Sequence, residues 1–599
     1  MTPMPNPSLF PRPRAVEGYD PSLAVDASSP AIVRDPSLPG QSYALHVDAD
    51  GVRLEYGDEP GRRYGEATLA QLRRDDGTMP GVHVVDSPDF AQRGYMLDVS
   101  RDRVPTRATL ERLVQRLAVC RYNQLQLYVE HTFAHPGHEV VWADASPITP
   151  DDLTWLDAQC AAVSIELVVN QNTFGHFERW LAHPEYRSRA ECPEGFEIVP
   201  GFRMPPSVLA PTPDNAAFAA QLVRAQVAHV AGRTVNVGCD ETFELGHGVS
   251  AARAATDGLA SVYAEHLHRI VDPLVDEGLQ VQFWGDVART HPAILDTFPT
   301  GRCTPLVWNY DAPDVTRPAL PRELRAILAR IGIDPDAPTG FATILEPFVA
   351  AGHPFWVVPG TSSWQSFIGR LPNARANLED AADAGRAAGA TGYLVTDWGD
   401  SGHHQPPAVS LPPIAYGGAL AWCADTNRDL DVAAAVNDHL VADAADVIGG
   451  ALERVGAVYE QTGVVAGNAS PLFQAVVPSL TNFASSEPDA DAVAGVITVL
   501  DDARADLGGA RPGSVDGSDL VDGLDVAIGL ARHGARRLAA RARGERLDPR
   551  EAAADLGELI DRYRAAWLAV SRPGGLVESV GRLEARLERY EAETAEVAG

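Results

Sequence analysis

The chain has 599 residues and a formal charge of −32 at pH 7, with 45% hydrophobic and 7% aromatic residues. That charge excludes nucleic acid and an anionic membrane surface as main partners, because both need clustered positive charge to displace counterions, and it favours a neutral substrate. All 49 basic residues are Arg, so Schiff-base lysine and P-loop lysine chemistry are excluded as well.

At about 100 to 200 residues per domain, the length implies two to four domains, one of them large enough for a barrel. The alternating stretches 42–46 and 51–55, joined by the turn Asp48-Ala49-Asp50-Gly51, predict a hairpin. A helix is expected over 64–73, which completes a small N-terminal α/β domain over residues 1–88. The stretch 1–20 is Pro-rich and polar, with no basic start followed by an apolar run, and no run of about 18 apolar residues appears later. The six cysteines are scattered without a CxxC pair, so reduced thiols and a cytoplasmic protein are expected.

From Arg93 the pattern changes to short apolar strands alternating with helical stretches. Strands are expected at 94–99, 124–130, 165–170, 234–239, 279–284, 305–309, 355–358 and 392–396. Eight βα units predict a (β/α)8 TIM barrel over residues 89–425. Residues 426–599 read as a helical C-terminal domain, interrupted by a Gly/Pro/Asp-rich loop near 508–523. Its last helix places Leu576, Val580, Leu583, Leu587 and Tyr590 on one seam. That seam suits packing within the domain and leaves a homodimer open.

In such barrels the functional groups gather at the C-terminal ends of the strands. Here those ends carry Asp98, Glu130-His131, Asn170-Gln171-Asn172, Asp240-Glu241, Trp284-Gly285-Asp286, Trp308-Asn309-Tyr310, Ser362-Ser363-Trp364 and Asp397-Trp398-Gly399-Asp400. The adjacent acids Asp240 and Glu241 are the strongest signal. Two carboxylates that flank a glycosidic bond normally stand about 5 to 9.5 Å apart on opposite faces of the sugar, which neighbours in sequence do badly. They suit a division of labour in which one acid protonates a leaving group and the other holds a 2-acetamido group that is itself the nucleophile. Sugar rings also need aromatic walls, which Trp284, Trp308, Trp364 and Trp398 offer. His131, His135 and His138 raise the alternative of a metal-dependent hydrolase, but Pro136-Gly137 breaks the helix their spacing would need. These histidines are expected to shape a loop, with His131 within reach of substrate, and no metal or cofactor is expected.

The strings Arg93-Gly94-Tyr95-Met96-Leu97-Asp98-Val99-Ser100-Arg101, Tyr122-Asn123-Gln124-Leu125-Gln126-Leu127, Gly175-His176, Val237-Gly238-Cys239-Asp240-Glu241 and Asp397-Trp398-Gly399-Asp400 together resemble glycoside hydrolase family 20, the β-N-acetylhexosaminidases. The resemblance spans about residues 40 to 425. It implies a retaining, substrate-assisted hydrolase with Glu241 as general acid/base and Asp240 as the clamp on the acetamido group. It implies Arg93 as the grip on the O3 and O4 hydroxyls, Asp400 on O4 and O6, and His176 beside the acid/base. Trp284, Trp308 and Trp398 are implied as the acetamido walls. No tyrosine follows strand seven, where residues 360–364 stand, so Tyr310 is expected to supply the hydroxyl on the acetamido carbonyl. The expected partner is a small glycan or glycoconjugate ending in N-acetylhexosamine, and a non-catalytic amino-sugar binder is the remaining alternative.

Overall fold

Alternating apolar residues close a small sheet first. A computed structural model describes residues 8–101, 103–199, 202–315, 339–477 and 487–598, with isolated positions between 320 and 329. Residues 1–7 of the Pro-rich start lie outside the described residues. Strands β1 (Ala15–Asp26), β2 (Ala31–Arg34), β3 (Tyr43–Asp48), β4 (Gly51–Tyr56) and β5 (Thr78–Asp86) form one sheet in the order β1-β5-β3-β4-β2. β3 and β4 make the expected hairpin, with Asp48 opposite Gly51. Neither β1 nor β2 was expected: both are edge strands whose residues are mostly exposed, so they lack an alternating apolar signal. Helix α1 (Glu59–Leu72) starts five residues before the expected position, because the Asp58 carboxylate accepts the Gly61 N–H and Pro60 suits a first helical turn. Its Tyr64, Leu69 and Leu72 share a core with Leu45 and Leu54 of the sheet and with Trp422.

All eight expected barrel strands form, as β6 (Gln92–Asp98), β7 (Gln124–Val129), β8 (Glu166–Gln171), β11 (Thr234–Asn236), β12 (Gln280–Trp284), β13 (Cys303–Trp308), β14 (Trp356–Val358) and β15 (Gly392–Asp397). They close in the order β11-β12-β13-β14-β15-β6-β7-β8, with every neighbour parallel. A two-stranded hairpin, β9 (Phe196–Val199) with β10 (Phe202–Met204), lies in the loop after β8.

One half of the barrel interior is an amide network. The Gln126 amide nitrogen donates to Gln124 and Gln282 at 2.9 Å, and its oxygen accepts from Asn170 at 2.9 Å and from Asn236 at 3.3 Å. The other half is apolar and aromatic: Met96, Tyr128, Trp284, Leu306, Trp356, Val358, Trp364, Leu394 and Trp398 pack together. The buried amides bond one another, with Asn170 Oδ1 left unpartnered, and the aromatic layer fills the rest, so the interior is a packed core and not a pore.

Beyond the barrel helix α2 (Leu411–Asn427), the chain is helical, ending in α3 (Ala490–Leu507), α4 (Gly517–Ala542), α5 (Pro549–Val570) and α6 (Leu576–Ala598). The expected loop is shorter than 508–523, because Leu520, Leu524 and Ile528 bury one face of α4 and draw the helix back to Gly517. On α6, Val580, Leu583 and Tyr590 are buried, and α6 packs against α5. Among the described residues no helix is long and apolar enough to cross a membrane. The helical region grips the barrel through the bidentate Arg116–Asp516 pair, at 2.7 Å on both contacts, and through Arg572, which donates to Pro105 O and bonds Asp152 at 2.8 Å.

Candidate active site

β11 stops at Asn236, and the chain leaves it through Gly238 (φ +68°), Cys239 (φ +70°) and Glu241 (φ +49°). Strand alternation would send Asp240 and Glu241 to opposite sides. These three left-handed residues turn both toward one imidazole: His176 Nε2 lies 3.3 Å from Asp240 Oδ2 and 3.5 Å from Glu241 Oε2. Glycine at 238 also admits a neighbour, since a Cβ there would stand 2.6 Å from the Asn172 side chain. Asn172 uses that space to donate from Nδ2 to Asp240 Oδ1 at 2.7 Å. His176 arrives on the loop after β8, where Gly175 lets the backbone pass so close to Asp240 O that a Cβ would stand 2.4 Å from it.

The two acids are driven apart electrostatically. Burial would raise Asp240, but the His176 cation and the Asn172 amide hold it below the usual carboxylate range. Glu241 moves the other way: burial pushes it up, His176 opposes, and the negative charge of Asp240 adds to the rise. Its side chain remains 40% exposed, so a ligand can reach the carboxyl. Burial opposes charge on His176 too, yet Asp240 and Glu130 raise its pKa to about 9. The site thus presents an anion and a raised acid, each within 3.5 Å of one cation.

A second cluster stands beside them. Arg101, just past the end of β6, lies 3.2 Å from Asp98, 3.5 Å from Glu130 and 3.3 Å from Asp400. Its guanidinium carbon stands 4.9 Å from the Trp398 ring and 5.2 Å from the Tyr128 ring. Glu130 also accepts from the Tyr128 hydroxyl at 3.0 Å and faces His176 Nδ1 at 3.5 Å, so the two clusters are continuous.

The four tryptophans of the strand ends pack into one aromatic cluster with Tyr128 and Tyr310. Trp398 meets Tyr128 edge to face at 4.8 Å and Trp284 at 5.9 Å. Tyr310 stacks on Trp308 at 5.2 Å and sets its edge to Trp364 at 5.1 Å. The packing needs glycine at 360, where a Cβ would stand 2.5 Å from Trp364 and 2.9 Å from Tyr310. Asn468, from the helical region, fixes this wall from behind by accepting from Trp364 Nε1 at 3.2 Å and Arg370 Nη2 at 2.9 Å.

One expected residue is elsewhere, and a second is deeply buried. Arg93 lies at the opposite end of β6 from Arg101, fully buried, donating to the Arg121 and Phe90 carbonyls, Gln41 and the Tyr64 hydroxyl at 2.7 to 2.8 Å. It ties the barrel floor to the N-terminal sheet. His131 is buried, with burial pushing its pKa down to about 3 and Arg179 as its charged neighbour. His135 faces Gln171 at 3.1 Å and His138 faces the Tyr186 hydroxyl at 2.6 Å, so the three histidines do not converge. Among the described residues, no group of three His, Cys, Asp or Glu side chains is placed to hold a metal ion. Arg101, Glu130, Asn172 and Asp286 belong to the site although the residue-by-residue expectation omitted them. All four follow strand ends, which was the available signal.

Comparison with known proteins bears on the fold. A β-hexosaminidase of Akkermansia muciniphila is 31% identical over 175 residues, 25% of this chain and 35% of that protein. Among solved structures, an inactive mutant of a Vibrio harveyi family 20 exo-β-N-acetylglucosaminidase superposes with a TM-score of 0.55 at 16% identity, over 72% of this chain and 76% of that one. The fold is that of the family 20 β-N-acetylhexosaminidases. A Flavobacterium johnsoniae chitobiase extends the family 20 likeness to 97% of this chain and 99% of its own, at a TM-score of 0.53 and 15% identity, so the helical region is part of the shared architecture. No family model matches the sequence. The chain spans about a third or less of the length of the curated hexosaminidases it matches.

Proposed function

We propose that this protein is a retaining exo-β-N-acetylhexosaminidase that removes a terminal non-reducing N-acetylglucosamine or N-acetylgalactosamine from a small glycan or glycoconjugate. The observation that carries the reading is the opposite displacement of two adjacent carboxyls about one imidazolium, Asp240 held below and Glu241 pushed above the usual carboxylate range. Glu241 donates its proton to the glycosidic oxygen while the acetamido oxygen attacks C1, so the C1–O bond breaks as an oxazolinium ring forms. Asp240 accepts the acetamido N–H and balances the positive ring. Glu241, now a carboxylate, takes a proton from water as that water opens the ring, which restores the starting acid. Arg101 and Asp400 stand where a sugar's hydroxyl edge would meet a donor and an acceptor. Six buried, unpaired cysteines support a cytoplasmic setting as part of the same proposal.

The test is a side-by-side assay of aryl β-N-acetylglucosaminide, β-N-acetylgalactosaminide and plain β-glucoside, with Glu241→Gln and Asp240→Asn. Glu241→Gln is expected to lose about 100-fold or more on chitobiose and far less on an activated aryl glycoside. Asp240→Asn is expected to impair both. Activity on the glucoside alone would refute the substrate-assisted scheme.

A further inference from the structure

The left-handed backbone of Glu241 raises the question of what holds it. A non-glycine residue at φ +49° is disfavoured and persists only where its surroundings fix it. Three elements hold this turn. The Thr173 hydroxyl donates to Val237 O, the Tyr263 hydroxyl donates to Cys239 O at 2.8 Å, and the Glu241 N–H donates to Asp286 Oδ2 at 3.0 Å. The third is the side-chain contact made to Glu241 itself, whose carbonyl also accepts the Phe243 N–H at 2.8 Å.

Asp286 opens a short helix immediately after β12, and β12 is the barrel neighbour of β11. The Trp284 N–H donates to Gly238 O at 2.9 Å, so the two strand ends advance together and bring Asp286 beside Glu241. Only one of the Asp286 oxygens is used. Oδ1 is buried and has no hydrogen-bond partner among the described residues. A carboxyl kept only for structure would be expected to satisfy both oxygens, as Asp443 does with the N–H groups of Ala445, Val447, Ile448 and Arg511.

We infer that Asp286 is a positioning residue for the proposed acid/base: by accepting the Glu241 N–H it holds the left-handed turn that aims the Glu241 carboxyl at the glycosidic oxygen. The inference rests on the hexosaminidase reading above. The charged or ionisable groups facing Asp286 are Asp240 and Glu241 from the loop after β11, Arg289 from its own helix, and Cys239 and Tyr263 behind it. Burial and the charge of Asp240 raise the Asp286 carboxyl to about 7. It therefore carries its proton over the acidic range, and its hydrogen-bond acceptance rather than a full charge is what an amide would reproduce.

The experiment compares wild type, Asp286→Asn and Asp286→Ala on chitobiose and on a dinitrophenyl β-N-acetylglucosaminide. Asp286→Ala is expected to lower kcat about 100-fold on chitobiose, where protonation of a poor leaving group matters, and less than about 10-fold on the aryl glycoside, with KM within about threefold. Asp286→Asn keeps an oxygen for the Glu241 N–H and is expected to stay within about 10-fold of wild type on both. If the alanine variant does not fold, Asp286→Leu, which fills the space without an acceptor, takes its place. Equal losses on both substrates, no loss at all, or an asparagine variant no better than alanine would overturn the inference while wild-type activity leaves the hexosaminidase reading standing. A wild-type enzyme inert on both glycosides would refute that reading itself.

Discussion

His176 is the cation that makes one acid of the pair an anion, and replacing it with Asn should move the pH profile. At 3.3 Å from Asp240 and an effective dielectric of about 20, the ion pair is worth about 5 kcal/mol. The rise of the imidazole to about 9 corresponds to about 3 kcal/mol, and burial of the charged ring accounts for the difference. Without the cation, Asp240 is expected to rise, carrying the acid limb of kcat/KM for an aryl β-N-acetylglucosaminide upward with it. Glu241 also rises, but less, because its more exposed carboxyl is better screened. The bell therefore narrows from its acid side, with a loss of about 10-fold or more near pH 5 and a smaller one near neutrality. Stability supplies a second readout. A histidine whose folded pKa is raised contributes stability that is full below about 6.5 and lost as pH rises through about 9. The wild-type thermal midpoint should fall across that window, and the variant should lack that part of the slope. An acid limb that stays in place while activity falls equally at every pH would refute the argument, leaving His176 as scaffold only.

The two arginines at opposite ends of β6 should behave oppositely. Arg93→Met leaves two carbonyls and the Gln41 oxygen without their donor and should cost about 3 kcal/mol or more in stability, read as a lower thermal midpoint with KM nearly unchanged. Arg101→Lys should raise KM for N-acetylhexosaminides by about 10-fold or more with little change in midpoint, because an ammonium cannot bond Asp98, Glu130 and Asp400 as the fork does. A KM effect at Arg93 and none at Arg101 would invert the assignment. Gly238→Ala should cost about 1 to 3 kcal/mol and lower kcat together, since the methyl strains a φ of +68° and displaces Asn172 from Asp240; unchanged kinetics would show that the Asn172 contact is dispensable.

How far the molecule was legible depended on the kind of signal each part carries. The barrel strands β7 and β15 are buried along their whole length and β8 beyond Glu166, and they read as short strands between helical stretches, which periodicity detects well. The edge strands β1 and β2 bury almost nothing and left no such trace. Asp240 and Glu241 stood out because two acids ending an apolar strand have no packing role. Arg93 and Arg101 bracket one strand and lie in the same string of nine residues. Their Cα atoms are eight residues apart, about 26 Å if fully extended, so they face opposite ends of the barrel. The rule that ligands meet the C-terminal ends of barrel strands selects Arg101, which follows Asp98, whereas the family resemblance points to Arg93. Asn172 and Asp286 act through contacts with a backbone turn, and a turn of left-handed residues other than glycine is not written in composition.

The charge balance of the site bears on which reaction it suits. Asp98, Glu130, Asp240, Glu241, Asp286 and Asp400 gather around Arg101, His176 and Arg289, so acidic groups outnumber cations. Self-repulsion among so many acids is relieved by keeping some of them protonated, and Glu130, Glu241, Asp286 and Asp400 are all pushed upward by burial. His176 holds Asp240 below the usual carboxylate range, while burial and the charge of Asp240 push Glu241 up against the opposition of His176 and Arg101. That rise favours the protonated form of Glu241, the state from which the proposed reaction starts. In the proposed reaction, positive charge then develops at C1 and on the oxazolinium ring, and the surplus of acidic oxygen stabilises it. Adjacent carboxyls can serve as acid and anion because the turn at Gly238 to Glu241 places one imidazolium between them, closer to Asp240 than to Glu241.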